Sequence, residues 1–171
     1  MFKLAGALVI VSISFFVTLK VLDYWDTLQQ SNVILFSYKT ATPAADQVTI
    51  DSSAILPGNE WTGADSFHSN LCSLGLRIYG SHIRGDSDTG SISLRLKRGD
   101  RLLYRSGPTG GRQILEIAGQ RPVVLPVAID WVALDFSSPN LPDPFVAKLT
   151  DKGDKWGEWS AIAVRDSQPC H

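Results

Sequence analysis

The sequence lacks an excess of charge of either sign, and it is poor in histidine and cysteine. Its 16 Lys and Arg residues are balanced by 17 Asp and Glu residues, which gives a formal net charge of −1. Domains that bind nucleic acid usually carry clustered Lys and Arg. The chain has only three His and two Cys, whereas a structural zinc site needs four closely spaced ligands. Nucleic acid is therefore a poor candidate partner, and we expect neither a bound metal nor another cofactor.

The sequence also lacks a convincing catalytic motif. Gly85-Asp-Ser87 is similar to the segment around the nucleophile of trypsin-like serine proteases, but Asp88-Thr-Gly90 departs from the glycine pair expected there. His68 and His82 have no neighbouring carboxylate in sequence that would orient a general base. The segment is rich in turn-forming residues. We therefore expect a turn at this place, no catalytic residues, and a protein that is not an enzyme.

Calcium binding is an alternative for the same loop. Asp86 and Asp88 could offer carboxylate oxygens to the ion. The loop is too short for the twelve-residue calcium hand and has no closing Glu. A simple turn is the favoured interpretation, and a calcium ion near these two residues stays open.

One long hydrophobic run stands at the start of the chain. Residues 4–22 contain a single charge, Lys20, and their length of 19 residues approaches the roughly 20 that span a bilayer as a helix. Tyr24 and Trp25 follow where interfacial aromatics are common. The pattern predicts a transmembrane anchor over residues 1–22 and a short stalk over 23–32. A cleavable signal peptide is the alternative, although no small-x-small cleavage site follows the run.

The positive-inside rule barely decides the orientation of this anchor, because Lys3 and Lys20 lie near its opposite ends. No further hydrophobic span follows, so we predict a single-pass inner-membrane protein whose C-terminal domain is periplasmic. Cys72 and Cys170 are the only cysteines, and in an oxidising compartment they could form a disulfide. Two unrelated thiols are the alternative.

Beyond the stalk, apolar residues alternate with polar ones. Leu74, Leu76 and Ile78 occupy every second position of one segment, and Ser91–Lys97 repeats the pattern. Gly and Pro turns separate further short candidate strands, which cover 33–38, 47–51, 101–105, 112–117, 123–129, 132–136, 145–149 and 158–164. Many short strands without helical segments predict an all-β antiparallel β-sandwich of jelly-roll type over residues 33–171.

The chain resembles the jelly-roll accessory domains of bacterial envelope glycosyltransferases through a succession of segments that starts at Phe67. The segments that follow are Leu74-Gly-Leu-Arg-Ile-Tyr79, Ser91-Ile-Ser-Leu-Arg-Leu96, Pro122-Val-Val-Leu-Pro-Val127 and Lys148-Leu-Thr-Asp151. The chain is also similar in outline to galactose-binding-like carbohydrate modules. The resemblance covers roughly residues 67–164 and is one of strand and turn pattern. It implies a sugar-related role outside the cytoplasm, without a catalytic residue.

Four tryptophans follow the stalk. Trp61 and Trp156 lie beside turn residues, so we expect both to be exposed and to stack on sugar rings, whereas Trp131 and Trp159 are expected in the core. The sequence therefore predicts a membrane-anchored, non-catalytic module that binds a glycan or a lipid-linked sugar, or that serves a glycosyltransferase as an accessory domain. The alternative is a structural or assembly subunit of an envelope complex, bound to an integral-membrane partner protein.

Overall fold

A computed structural model describes residues 35–63, 71–82, 89–109 and 112–166, and a compact unit begins at Leu35. Its regular structure is almost entirely β-strand. The strands are β1 Ser37–Thr40, β2 Thr62–Gly63, β3 Leu76–Gly80, β4 Gly90–Leu96, β5 Arg101–Ser106, β6 Gln113–Ile117, β7 Val123–Val124, β8 Val132–Asp135, β9 Phe145–Asp151 and β10 Ser160–Arg165. Short 3-10 turns occur at Ala45–Gln47, Ser52–Ala54 and Cys72–Leu74.

The strands form two sheets, and every pair of neighbouring strands is antiparallel. The larger sheet has the order β1-β8-β5-β10-β3-β2, and the smaller one has the order β4-β9-β6-β7. Successive strands such as β3, β4 and β5 alternate between the sheets, so the chain crosses repeatedly from one layer to the other. The predicted antiparallel β-sandwich is confirmed at this level.

In the smaller sheet, the side chains that face the core are the apolar residues at every second position of a strand. Ile92, Leu94 and Leu96 are fully buried on β4, while Arg95 between them is exposed. This is the face that the alternation of Ser91–Lys97 predicts. Strand β10 differs, because every residue from Ser160 to Val164 is buried. It lies between β5 and β3 in the larger sheet.

Three sequence-based expectations are wrong in detail. Leu74 does not join the buried row of β3: it ends a 3-10 turn and is 43% exposed. Gly75 follows with a φ of 69°, a left-handed conformation that suits glycine, and the strand begins only after it. The predicted strand 47–51 is replaced by a 3-10 turn and an extended segment with one isolated bridge, Asp51 to Arg165.

The third expectation, a strand over 123–129, holds only for Val123–Val124. Pro126 follows, and a proline has no N–H with which to continue the ladder. From Leu125 to Trp131 the chain instead forms the connection that carries it to β8 in the larger sheet.

The predicted anchor and stalk, residues 1–22 and 23–32, lie outside the described residues. Within the part of the chain that the structure describes, no helix has the length and apolar character needed to cross a bilayer. Asp86 and Asp88 also lie outside it, so the calcium alternative stays open.

Candidate functional site

One end of the sandwich gathers the four tryptophans of the domain, and we call it the tryptophan end. The pairing of the strands brings five segments to this end. They are the segment before β2 and the β3–β4, β5–β6, β7–β8 and β9–β10 connections. Trp61 precedes β2, Trp131 precedes β8, and both Trp156 and Trp159 lie in the β9–β10 connection. Positions that are far apart in sequence therefore contribute indole rings to the same end.

Trp156 is the most exposed large apolar side chain of the described residues, with 74% of its surface accessible. The turn that carries it is held by Glu158, whose Oε2 accepts hydrogen bonds from the backbone N–H groups of Asp154, at 3.1 Å, and Lys155, at 3.2 Å. The turn is therefore built to hold Trp156 in solvent by its own backbone geometry. The prediction that Trp156 is exposed is confirmed.

The same connection is bound tightly to the β5–β6 connection. Gly107 N–H donates to the carbonyl of Trp159 at 2.9 Å, and Thr109 N–H donates to the carbonyl of Gly157 at 3.1 Å. A Cβ at position 107 would overlap the backbone of Gly157 and come within 2.8 Å of the indole nitrogen of Trp159. Only glycine permits this close approach. We call these two hydrogen-bonded segments, Gly107–Thr109 and Gly157–Trp159, the platform beside Trp156.

Trp159 is half-buried and packs against the core. The guanidinium of Arg105 lies 5.6 Å from the centroid of a Trp159 ring, within the range of a cation–π contact. Arg105 Nε also donates to the carbonyl of Ile129 at 2.5 Å. One arginine thus joins the β7–β8 connection to the platform.

Trp61 is only 2% exposed, so the expectation that it is exposed is wrong. The Asn59 side chain bonds to the backbone of Trp61 at both its N–H, at 2.9 Å, and its carbonyl, at 2.6 Å. The indole then turns inward beside Gly90, where a Cβ would lie 3.6 Å from its Cδ1 atom. Trp131 is 5% exposed, which confirms its predicted place in the core.

A polar group of side chains lies buried under the tryptophan end. We call this group, which consists of Ser81, Tyr104, Gln113, Asp151 and Ser160, the buried polar layer; each member is at most 1% exposed. Ser81 Oγ donates to Asp151 Oδ2 at 2.5 Å and accepts from the Ser160 N–H at 3.0 Å. Asp151 Oδ1 accepts from the Gly153 N–H at 2.8 Å. The layer therefore links the ends of both sheets.

The electrostatics of this layer are set mainly by desolvation. Burial raises the pKa of Asp151 to about 6, hydrogen bonds from Ser81 and Gly153 oppose the rise, and the charge of Glu158 adds to it. Burial also raises the pKa of Tyr104 to about 12, against the effect of nearby serine hydroxyls. The layer thus holds a carboxyl group that changes its charge near neutral pH.

The sequence contained a signal for Asp151 that residue-type reasoning missed. It continues the alternation of Phe145, Ala147 and Leu149 on β9, all of which are buried, so its position predicts an inward side chain. Ser81 and Ser160 carried no comparable signal. They become neighbours only when β3 pairs with β10, and Ser81 reaches Asp151 only when the two sheets pack together.

Cys72 is not a free thiol. Its predicted partner, Cys170, lies outside the described residues, so the pairing itself stays a prediction. Within the described ranges, no group of three or more His, Cys, Asp or Glu side chains is arranged to hold a metal ion.

No protein-family model, curated protein or solved structure matches this chain.

Proposed function

We propose that this protein is a non-catalytic glycan-binding domain that holds its ligand at the tryptophan end. One observation carries the proposal: Trp156 is 74% exposed on a turn whose backbone is fixed by Glu158 and by the neighbouring β5–β6 connection. An indole that stays in water contributes no burial free energy to folding. Tryptophan is enriched among the residues that contribute most to binding, so an exposed indole on a turn with a fixed backbone suits a binding surface.

The chemistry around Trp156 suits a sugar. A pyranose ring presents an apolar C–H face that stacks on an indole and a rim of hydroxyls that need hydrogen-bond partners. Lys152, Asp154 and Lys155 are all exposed beside Trp156 and supply donors and acceptors of both charges. Trp61 is not part of the proposed site, because its buried ring has no face open to a ligand.

The location of the protein belongs to the same proposal. Residues 4–22 would anchor the chain in the inner membrane, with a jelly-roll domain in the periplasm that serves a glycosyltransferase or binds a lipid-linked sugar. Strand β1 is antiparallel to β8, with Ser37 opposite Asp135 and Thr40 opposite Val132. Because β8 starts at the tryptophan end, β1 starts at the other end and runs toward the tryptophans. The chain therefore enters the sandwich at the end opposite the tryptophans.

Glycan-array binding of the full-length protein, reconstituted in lipid nanodiscs, tests the proposal. We expect Trp156→Ala to lower glycan affinity at least about tenfold, because it removes the stacking surface, and to leave the melting temperature unchanged. Tyr38→Ala is the matched control, since Tyr38 is 57% exposed on β1 and should be dispensable. Unchanged binding by Trp156→Ala, or no binding by the wild type, would contradict the proposal.

A second candidate function, assembly with a membrane partner protein, is favoured by exposed apolar side chains in another segment of the tryptophan end. Val124 at the end of β7, and Val127 and Ile129 in the β7–β8 connection, expose between 47% and 57% of their surface. Clustered exposed apolar side chains are common in protein interfaces. If this candidate is correct, Val127→Asp should abolish co-purification of a membrane protein, and Trp156→Ala should not.

A further inference from the structure

The end of the sandwich opposite the tryptophans carries an apolar cleft of about 280 Å³ on the outer face of the smaller sheet. Its lining consists of Arg95, Ala118, Pro142, Pro144, Phe145 and Val146. Arg95 on β4 and Val146 on β9 are cross-strand partners that both point to solvent. The cleft is near the lower limit of the volumes usual for small-molecule sites.

The cleft is preformed rather than a gap between loose segments. Phe145 at its base is buried and packs on Phe136, with ring centroids 5.8 Å apart. The wall before β9 is held by Arg98, whose Nη2 donates to the carbonyl of Leu141 at 2.7 Å. Because its base and wall are already fixed, a ligand would lose little free energy to ordering the site.

The cleft has one charged group, and that group has no counter-ion among the residues that the structure describes. Arg95 makes no ion pair there. Two carboxylates on the neighbouring segments accept hydrogen bonds from other groups: Asp143 from the Arg98 N–H at 3.4 Å, and Glu116 from Thr150 Oγ1 at 3.4 Å. A guanidinium beside an apolar surface is complementary to an anion with an apolar tail.

We infer that this cleft binds an aliphatic monocarboxylate, with the carboxylate at Arg95 and the alkyl chain against Pro142, Pro144 and Val146. The guanidinium offers the carboxylate two parallel N–H donors. The small volume limits the alkyl chain to a short or medium length. This site is separate from the tryptophan end and does not depend on glycan binding.

Photo-crosslinking of the full-length protein in lipid nanodiscs tests the inference. The probe is hexanoate with a diazirine at its far end, and the labelled peptides are mapped by mass spectrometry. We expect labelling at residues 142–146. Arg95→Gln should lower this labelling about tenfold through loss of the charge-assisted hydrogen bonds. Ala118→Phe, which fills the cleft from an exposed turn position, should also lower it.

Three controls separate the alternatives. Lys39→Gln removes an exposed cation from β1 of the other sheet and should leave labelling unchanged. Trp156→Ala should also leave it unchanged, whether or not the glycan proposal holds. A hexanol probe with the same diazirine carries no charge, so it should label the cleft equally in the wild type and in Arg95→Gln. The inference is overturned if the hexanoate label falls outside 142–146, or if Arg95→Gln labels as well as the wild type.

Discussion

At the scale of single residues, Asp151 couples the stability of the fold to pH. It is the last residue of β9, and its buried carboxylate accepts hydrogen bonds from Ser81 and Gly153. Burial nevertheless raises its pKa to about 6. Its ordinary value is 3.8. Between these two pH values the folded protein binds more protons at this group than the unfolded chain does, so the contribution of Asp151 to stability falls as the pH rises.

We therefore predict that titration of Asp151 makes the fold less stable at neutral pH than at pH 4. A shift of about two pKa units lowers the free energy of unfolding by roughly 3 kcal/mol over this range, since each unit is worth about 1.4 kcal/mol. The stability is fully present below about pH 4 and is lost as the pH rises through about 6. In Asp151→Asn, the free energy of unfolding should no longer fall between pH 4 and pH 7. Urea unfolding at a series of pH values measures it.

The matched control for this prediction is Asp154→Asn, which changes an exposed carboxylate in the same connection. It should keep the pH dependence of the wild type. A wild-type protein whose stability does not fall between pH 4 and pH 7 relative to Asp151→Asn would show that Asp151 stays ionised in the folded state.

Trp61 and Trp156 show what residue-level reasoning could not resolve. Both lie beside turn-forming residues, and the sequence gives them the same local description. Asn59 turns Trp61 into the core through two hydrogen bonds to its backbone, while Glu158 fixes a turn that leaves Trp156 in water. The difference depends on side-chain contacts that close only when the chain folds.

At the scale of elements, the strands that period-two alternation predicted are the ones confirmed. Strand β4 lies within one residue of the predicted 91–97, because its buried face is unambiguous. The failures occur where another rule competes with alternation. A proline ends β7 early, and a glycine with positive φ delays the start of β3. The pairing of β10 with β3 and β5 could not be predicted, since it joins segments distant in sequence.

The element-scale prediction concerns the turn before β3. The chain leaving β10 passes beside this turn, because Asp166 N–H donates to the carbonyl of Gly75 at 2.9 Å. Cys72 lies three residues before Gly75, and Cys170 lies four residues after Asp166. We expect these cysteines to form a disulfide that fastens the C-terminal segment to the sandwich. Peptide mapping without reductant should recover them in one linked pair.

Replacing both cysteines by serine should lower the free energy of unfolding by about 2–4 kcal/mol, the range typical of disulfides. The fold should persist, because Cys72 is not among the buried core residues of the two sheets. Two free thiols in protein taken from its native membrane would contradict the prediction. Addition of a reductant should destabilise the wild type and leave the double serine variant unchanged.

At the scale of the whole molecule, the two ends of the sandwich differ in chemistry. The tryptophan end combines an exposed indole with a buried titratable layer, and the opposite end carries the apolar cleft and the start of β1. A balanced net charge gives neither end a strong general attraction for polyanions. Both proposed sites therefore depend on local shape and on single charged groups.

The last prediction concerns the place of this molecule in the cell. We expect residues 4–22 to remain attached as a transmembrane helix, with the C-terminus outside the cytoplasm, because the run is 19 residues long and lacks a cleavage motif after it. Alkaline phosphatase fused after His171 should be active, since it requires an oxidising compartment. A fluorescent reporter that matures only in the cytoplasm should be dark at the same position. The opposite pair of signals would show that the C-terminus lies in the cytoplasm.

As a control, Val9→Arg together with Val11→Arg places two charges in the run and should abolish membrane insertion. If the wild-type domain is instead released into the soluble periplasmic fraction, residues 1–22 act as a cleaved signal peptide.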